Sequence, residues 1–262
     1  MELTLYQVNV FTSSPFQGKP AVVIPLENWL PDVLLQHIAE ENSVAETAFF
    51  VNNEEDFHLR WFTASAEMDI CNHATLASAF VAFTEIGCES DAIVFDTRLG
   101  RLKVARNDQR FQMEFRSTPP RASTAPAELI EAVGAKPAEV LESHDLVFVY
   151  EDAKQVSALR PDMGALERLV PGGLIVTAPG YDCDFVSRTF SPALGITEDP
   201  VTESSHCTLV PYWAERLGRN ELLARQISKR SGEICCALEG DRVRLEGEAV
   251  VYLRGALILG SD

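Results

Sequence analysis

Glu46 is the one ionisable residue in the segment Val44-Ala45-Glu46-Thr47-Ala48-Phe49-Phe50. A carboxyl desolvated by such neighbours has its pKa raised toward neutrality, which suits it to taking a proton and giving it back. The competing reading is an outward-facing residue on a half-exposed strand. His73 reads either as a second proton carrier or as a residue in the first turn of a helix. Asp199 precedes Pro200, a frequent turn pairing. Two short runs, Cys71-Asn72-His73 and Thr202-Glu203-Ser204, each stand just ahead of an apolar stretch. A helix that starts there offers unpaired backbone N–H groups and about half a positive charge, and two such starts can hold an anionic substrate. Alternatively, Asn72 and Ser204 are ordinary capping residues. Cys71 with His73, and His206 with Cys207, supply two metal ligands each. Such short pairs seldom mark a site without further ligands nearby, so no metal is expected.

The elements that must carry these residues follow from the hydrophobic pattern. A strand is expected from Thr4 to Phe11, then a turn-rich stretch from Ser13 to Pro20 and an apolar strand from Ala21 to Pro25. Pro31 suits a first helical position, and Leu34, Leu35, Ile38 and Ala39 share a face until Asn42 and Ser43. Strands over 45–51 and 57–62 flank the polar run Asn52-Asn53-Glu54-Glu55-Asp56, a hairpin signal. Ala74 to Ile86 is apolar nearly all round, which predicts a buried helix closed by Gly87. Short strands are expected at 93–95, 102–105 and 111–115, and a domain boundary at Pro119-Pro120. The domains are thus 1–118 and 119–262, with the terminal strand able to return to the first.

In the second half, helices are expected near 127–133 and 163–170, with strands near 146–150, 174–178 and 184–190. A strand–turn–helix pattern then returns: Val201-Thr202-Glu203-Ser204 leads into an apolar stretch ending at Leu217-Gly218, with Pro211 expected to kink it. Thr202 lies 131 positions after Cys71 (202 − 71 = 131), half of the 262 residues. An internal duplication giving two similar domains accounts for that offset.

Composition bounds the function. There are 39 acidic against 22 basic side chains, a net charge of −17, which repels phosphate backbones and anionic lipid alike. Neither nucleic acid nor membrane is an expected partner. The start Met1-Glu2-Leu3-Thr4 has no basic flank or apolar run, no stretch reaches 18 apolar residues, and the six cysteines form no CxxC. These features fit a cytoplasmic protein without a disulfide scaffold.

Six stretches together resemble the PhzF family of phenazine biosynthesis-type isomerases: Tyr6 to Thr12, Pro15 to Val23, Ala45 to Phe49, Leu59 to Thr63, Cys71 to Leu76, and Glu198 to Cys207. They occur in the family's order and span essentially the whole chain. The resemblance implies an α/β, diaminopimelate epimerase-like fold of two pseudo-symmetric domains, each a curled mixed sheet around a central helix. It also implies a cofactor-free homodimer acting on a small anionic metabolite. The family's best-known activity moves a proton within trans-2,3-dihydro-3-hydroxyanthranilate. Residue by residue, Glu46 matches the family's acid/base, while His73, Asp199 and Ser204 match positions that contact substrate or assist proton movement.

Three positions depart from the family pattern: Lys19 replaces an asparagine, and Asn72 and Glu203 replace glycines. Glycine at a helix start lets backbone approach a ligand closely. A carboxylate there adds bulk and a like charge, whose repulsion at about 4 Å and an effective dielectric near 20 is on the order of 4 kcal/mol. Lys19 offsets that charge, or Glu203 faces away. Three functions compete: an isomerase using Glu46, a non-catalytic metabolite- or partner-binding member, and a two-cysteine racemase or epimerase. In the last, Cys71 fills the first position but Thr202 the second, and threonine is far too weak an acid to act as the partner thiol.

Overall fold

The protein is described by a computed structural model, over residues 1–53 and 56–260. Its chain divides into two compact units, Met1–Met113 with Glu246–Asp262, and Glu114–Leu245. The first division therefore falls before Pro119-Pro120, inside a strand.

In the first unit, β1 (Glu2–Val10), β2 (Lys19–Leu26), α1 (Asp32–Asn42), β3 (Thr47–Asn53), β4 (Asp56–Phe62), β5 (Glu67–Met68), α2 (Asn72–Thr84), β6 (Ala92–Thr97) and β7 (Gly100–Asn107) follow one another, with β8 (Arg110–Arg116) at the division. The sheet is mixed: β1 runs antiparallel to β2, β2 parallel to β3, β3 antiparallel to β4, β4 parallel to β6. The expected hairpin pairs down to Asn53 opposite Asp56; Glu54 and Glu55 of the expected polar run lie outside the described residues. Successive strand residues face opposite sides of a sheet. Val22, Ile24 and Leu26 pack in one cluster with Leu35, Ile38 and Ala39 of α1. In the opposite phase Ala21 and Val23 are also fully buried, and α2 packs on β1, β2, β3 and β7. Ten residues of α2 are buried, from His73 to Phe83, so it has no solvent face, as its composition predicts. Each of its large apolar side chains (Leu76, Val81, Phe83) contributes roughly 1.5–3 kcal/mol by that burial. Gly87, at φ 83°, turns the chain away after the helix.

The second unit repeats the plan. After β9 (Arg121–Ala122) and α3 (Ala127–Val133) come β10 (Glu139–Glu142), β11 (Leu146–Val149), α4 (Ala153–Ala158), α5 (Met163–Leu169), β12 (Leu174–Pro179), β13 (Phe185–Ser191) and β14 (Ile196–Asp199). Then follow α6 (Glu203–Leu217), β15 (Glu221–Gln226), β16 (Gly232–Glu239) and β17 (Arg242–Ile258), whose last part pairs with β1 in the first unit. Leu174, Val176 and Ala178 share a cluster with Leu129, Val156 and Leu166 of the short helices. The alternate phase of β12 faces the long helix: Trp213 of α6 donates its Nε1 proton to Thr177 Oγ1 at 3.0 Å and stacks on Phe185 at 5.7 Å. Each unit thus has shorter helical structure on one face of a mixed sheet, α1 in the first and α3 to α5 in the second, and one long, mostly buried helix on the other. Pro211 lies inside α6, which continues through it to Leu217. Among the described residues no helix is long and apolar enough to cross a membrane.

Candidate active site

Glu46 does not lie within a strand. It sits in the turn just before β3, with Ala45 exposed beside it, and its carbonyl accepts the Val22 N–H at 3.1 Å. That bond anchors the turn to the start of the parallel β2–β3 pair. The side chain is only 17% exposed and its Oε2 lies 2.8 Å from His73 Nε2. His73 belongs to the first turn of α2 and is buried, with its Nδ1 3.5 Å from Cys71 Sγ. Cys71 and His73 therefore gain in space the third group that their sequence spacing lacks. The ligand atoms of Glu46, Cys71 and His73 all lie within 4.8 Å of one another.

The electrostatics correct the expectation for Glu46. Burial does push its pKa up and is the largest single influence, but the hydrogen bond and charge of His73, with the charge of Lys19, together hold it below the ordinary value. For His73, burial and the Lys19 cation act downward, while Cys71 and Glu46 outweigh them and raise it to about 10. The pair is an ion pair at neutral pH, not a neutral acid beside a neutral imidazole. Lys19 is positioned by Gly18, whose φ is 66° and where a Cβ would collide with the Val10 carbonyl and Thr12.

The start of α6 is built differently. Thr202 is its N-cap, with φ and ψ of −126° and 103°; Cys71 caps α2 at −148° and 100°. Neither cap side chain bonds the helix, and Asn72 and Ser204 are first-turn residues, so the capping roles expected for those two do not hold. Asn72 Oδ1 is buried without a hydrogen bond, while Ser204 is exposed. Thr202 Oγ1 donates to Asp199 Oδ2 at 2.8 Å, and Asp199 is buried at the end of β14. Gln226, fully buried, accepts from Thr202 N at 2.9 Å and donates to the Asp199 carbonyl at 2.7 Å. His206 donates from Nδ1 to the Thr202 carbonyl at 2.7 Å, and burial lowers its pKa to about 4, so it is neutral at pH 7. Glu203 is buried, not solvent-facing, and adds to burial in pushing the Cys207 thiol up to about 12.

Of the residues expected from sequence to form one site, the structure brings Glu46, Cys71 and His73 together in the first unit and places Asp199, Thr202, Glu203 and Ser204 at the start of α6 in the second. Sequence reasoning missed Gln226. In β15 the buried positions are Leu222, Ala224 and Gln226, so period-two alternation marks Gln226 as a polar residue on an inward face.

The profile described as "PhzC-PhzF: Phenazine biosynthesis-like protein" matches residues 8–255. The chain belongs to the PhzF family. Among relatives of this PhzF-family chain, a Pseudomonas aeruginosa protein described as an uncharacterized isomerase is 46% identical over 259 residues, covering 99% of this chain and 100% of the relative. The crystal structure of a PhzF-family protein from Enterococcus faecalis superimposes with a TM-score of 0.96 at 40% identity, over 99% of this chain and 100% of that one. A PhzC/PhzF protein from Clostridium difficile gives 0.94 at 40% identity, over 98% and 100%. The fold is accordingly the diaminopimelate epimerase-like arrangement of two similar α/β units, and the chain is an enzyme of this cofactor-independent isomerase family.

Proposed function

We propose that this PhzF-family enzyme moves a proton within a small carboxylate substrate, with Glu46 as the group that takes and returns it. The observation that carries the reading is the Glu46 Oε2–His73 Nε2 contact of 2.8 Å in a largely buried setting. Glu46 is ionised at neutral pH and starts as the base. It removes a proton from an acidic carbon, the electron pair of the broken C–H bond delocalises toward an adjacent unsaturated group, and the protonated carboxyl delivers the proton to another carbon. The enzyme ends as it began. A carboxylate held at low pKa is a weak base, yet burial is the largest influence on Glu46 and acts upward. Any substrate that loosens the His73 contact lets that influence win and strengthens the base.

The family pattern makes Asp199 and Ser204 substrate contacts, and trans-2,3-dihydro-3-hydroxyanthranilate the first compound to try. Homodimer assembly belongs to the same proposal. Two-thiol racemisation has no support, because Thr202 stands at the second position with its hydroxyl committed to Asp199.

The test is proton exchange in D2O. That compound and a panel of small unsaturated and amino carboxylates are incubated with the enzyme, and deuterium incorporation at carbon is followed by NMR. Glu46→Gln should lose incorporation while its circular dichroism stays unchanged; exchange undiminished by the substitution refutes the role of Glu46.

A further inference from the structure

Three unlike ligand atoms converge in the first unit: a carboxylate oxygen, a thiol sulfur and an imidazole nitrogen, all within 4.8 Å of one another. Their separations can be set against the edges of a coordination tetrahedron. Bonds of about 2.0–2.3 Å to Zn2+ put neighbouring ligands roughly 3.3–3.7 Å apart. Cys71 Sγ is 3.8 Å from His73 Nε2, already close to such an edge. Glu46 Oε2 and the same nitrogen are 2.8 Å apart, so that edge must open by roughly half an ångström to admit the ion.

We propose that Glu46, Cys71 and His73 form a reversible Zn2+ site in which the metal takes the place of the proton between the carboxylate and the imidazole. Sulfur and imidazole donors select a borderline-soft ion such as Zn2+ over Mg2+ or Ca2+. The donors stand on rigid supports: Cys71 and His73 at the start of a helix buried on all sides, and Glu46 in a turn tied to Val22. Three protein ligands leave a fourth position for water, the pattern of an exchangeable site and not of a closed structural one. Lys19, whose charge acts on both Glu46 and His73, opposes a second cation and keeps the binding reversible. On binding, Zn–O, Zn–S and Zn–N bonds form and the thiol and imidazolium protons pass to solvent; nothing is oxidised or reduced. The site itself is independent of the function proposed above. Only its consequence, arrest of proton transfer, rests on that reading.

The full chain, stripped of metal, is titrated with Co2+ as a coloured stand-in, followed by displacement with Zn2+. The expected result is one equivalent bound, with thiolate-to-cobalt charge-transfer absorption and the d–d bands of a tetrahedral ion. Cys71→Ser should lose the charge-transfer band, Glu46→Gln should weaken binding, and Cys183→Ser, at a free cysteine of the second unit, should keep both. If Cys71→Ser fails to fold, loss of the bound equivalent in His73→Gln serves instead. No stoichiometric binding, or a charge-transfer band that survives Cys71→Ser, overturns the site. Binding without loss of deuterium exchange, tested with chelator reversal, leaves the site standing and counts instead against Glu46 as the proton carrier.

Discussion

The starts of α2 and α6 share a backbone and differ in chemistry. Both helices begin one residue after an extended N-cap whose carbonyl is bonded by a side chain one turn later, Thr75 Oγ1 to Cys71 at 2.7 Å and His206 Nδ1 to Thr202 at 2.7 Å. At α2 the surrounding groups are a carboxylate, an imidazolium and a thiol within reach of a lysine charge. At α6 they form a closed net of Thr202, Asp199 and Gln226 beside a neutral histidine. One scaffold, used twice, thus supports a cluster of coupled ionisable groups in one copy and a hydrogen-bonded frame in the other. Burial alone does not decide which: both histidines are buried, and at His73 the Cys71 and Glu46 groups outweigh that burial, whereas at His206 the Thr202 carbonyl and the Asp199 charge do not.

The largest effect that separates the two regions is catalytic. Glu46→Gln should cut turnover roughly 10²–10⁴-fold, the usual worth of a general acid/base, measured as deuterium incorporation per unit time. Next is pH dependence of stability, which should have opposite signs for the two histidines. His206 has a folded pKa below its unfolded value, so its contribution is complete above about 6.5 and is lost as pH falls through about 4. That loss is on the order of 3 kcal/mol, and His206→Phe should flatten the acid limb of a urea-denaturation series. His73 has its folded pKa raised, so its contribution is complete below about 6.5 and is lost as pH rises through about 10. Glu46, lowered, adds stability above about 4.5 that is lost on further acidification.

Gln226→Ala comes third. It strands the Thr202 N–H and the Asp199 carbonyl in a buried place, a cost of roughly 1–3 kcal/mol for an unsatisfied buried group, in addition to the cavity it leaves. Chemical denaturation reads it. Thr75→Ala is smallest: it removes one hydrogen bond to the Cys71 carbonyl and should cost about 1 kcal/mol. A still smaller effect would mean that the α2 cap needs no such support, unlike its counterpart.

Much of the scaffold was legible. The all-apolar run 74–86 dictates a helix without a solvent face, and α2 is one; α3 falls on the expected 127–133. The offset between Cys71 and Thr202 marks two N-caps that occupy equivalent places. α4 escaped because its six residues, Ala153–Ala158, are too few to show helical periodicity, although Asp152 and Gln155 form the capping box that announces it. The identity of the reactive residues was legible and the charge state was not. Glu46 reads from its neighbours as a desolvated acid, and burial is the largest influence on it, but the net shift is turned downward by His73, 27 positions away, together with Lys19. Partners distant in sequence leave no local pattern. Neither does an Asn72 amide oxygen buried without a bond.

The most direct test of this contrast is a ¹⁵N NMR titration of the imidazole nitrogens of His73 and His206, in the native protein and in Glu46→Gln. The account predicts that His73 stays protonated to about pH 10 and titrates lower once Glu46 is neutralised, while His206 stays neutral down to about pH 4 in both proteins. A His73 that titrates near 6.5 and ignores the Glu46 substitution contradicts it.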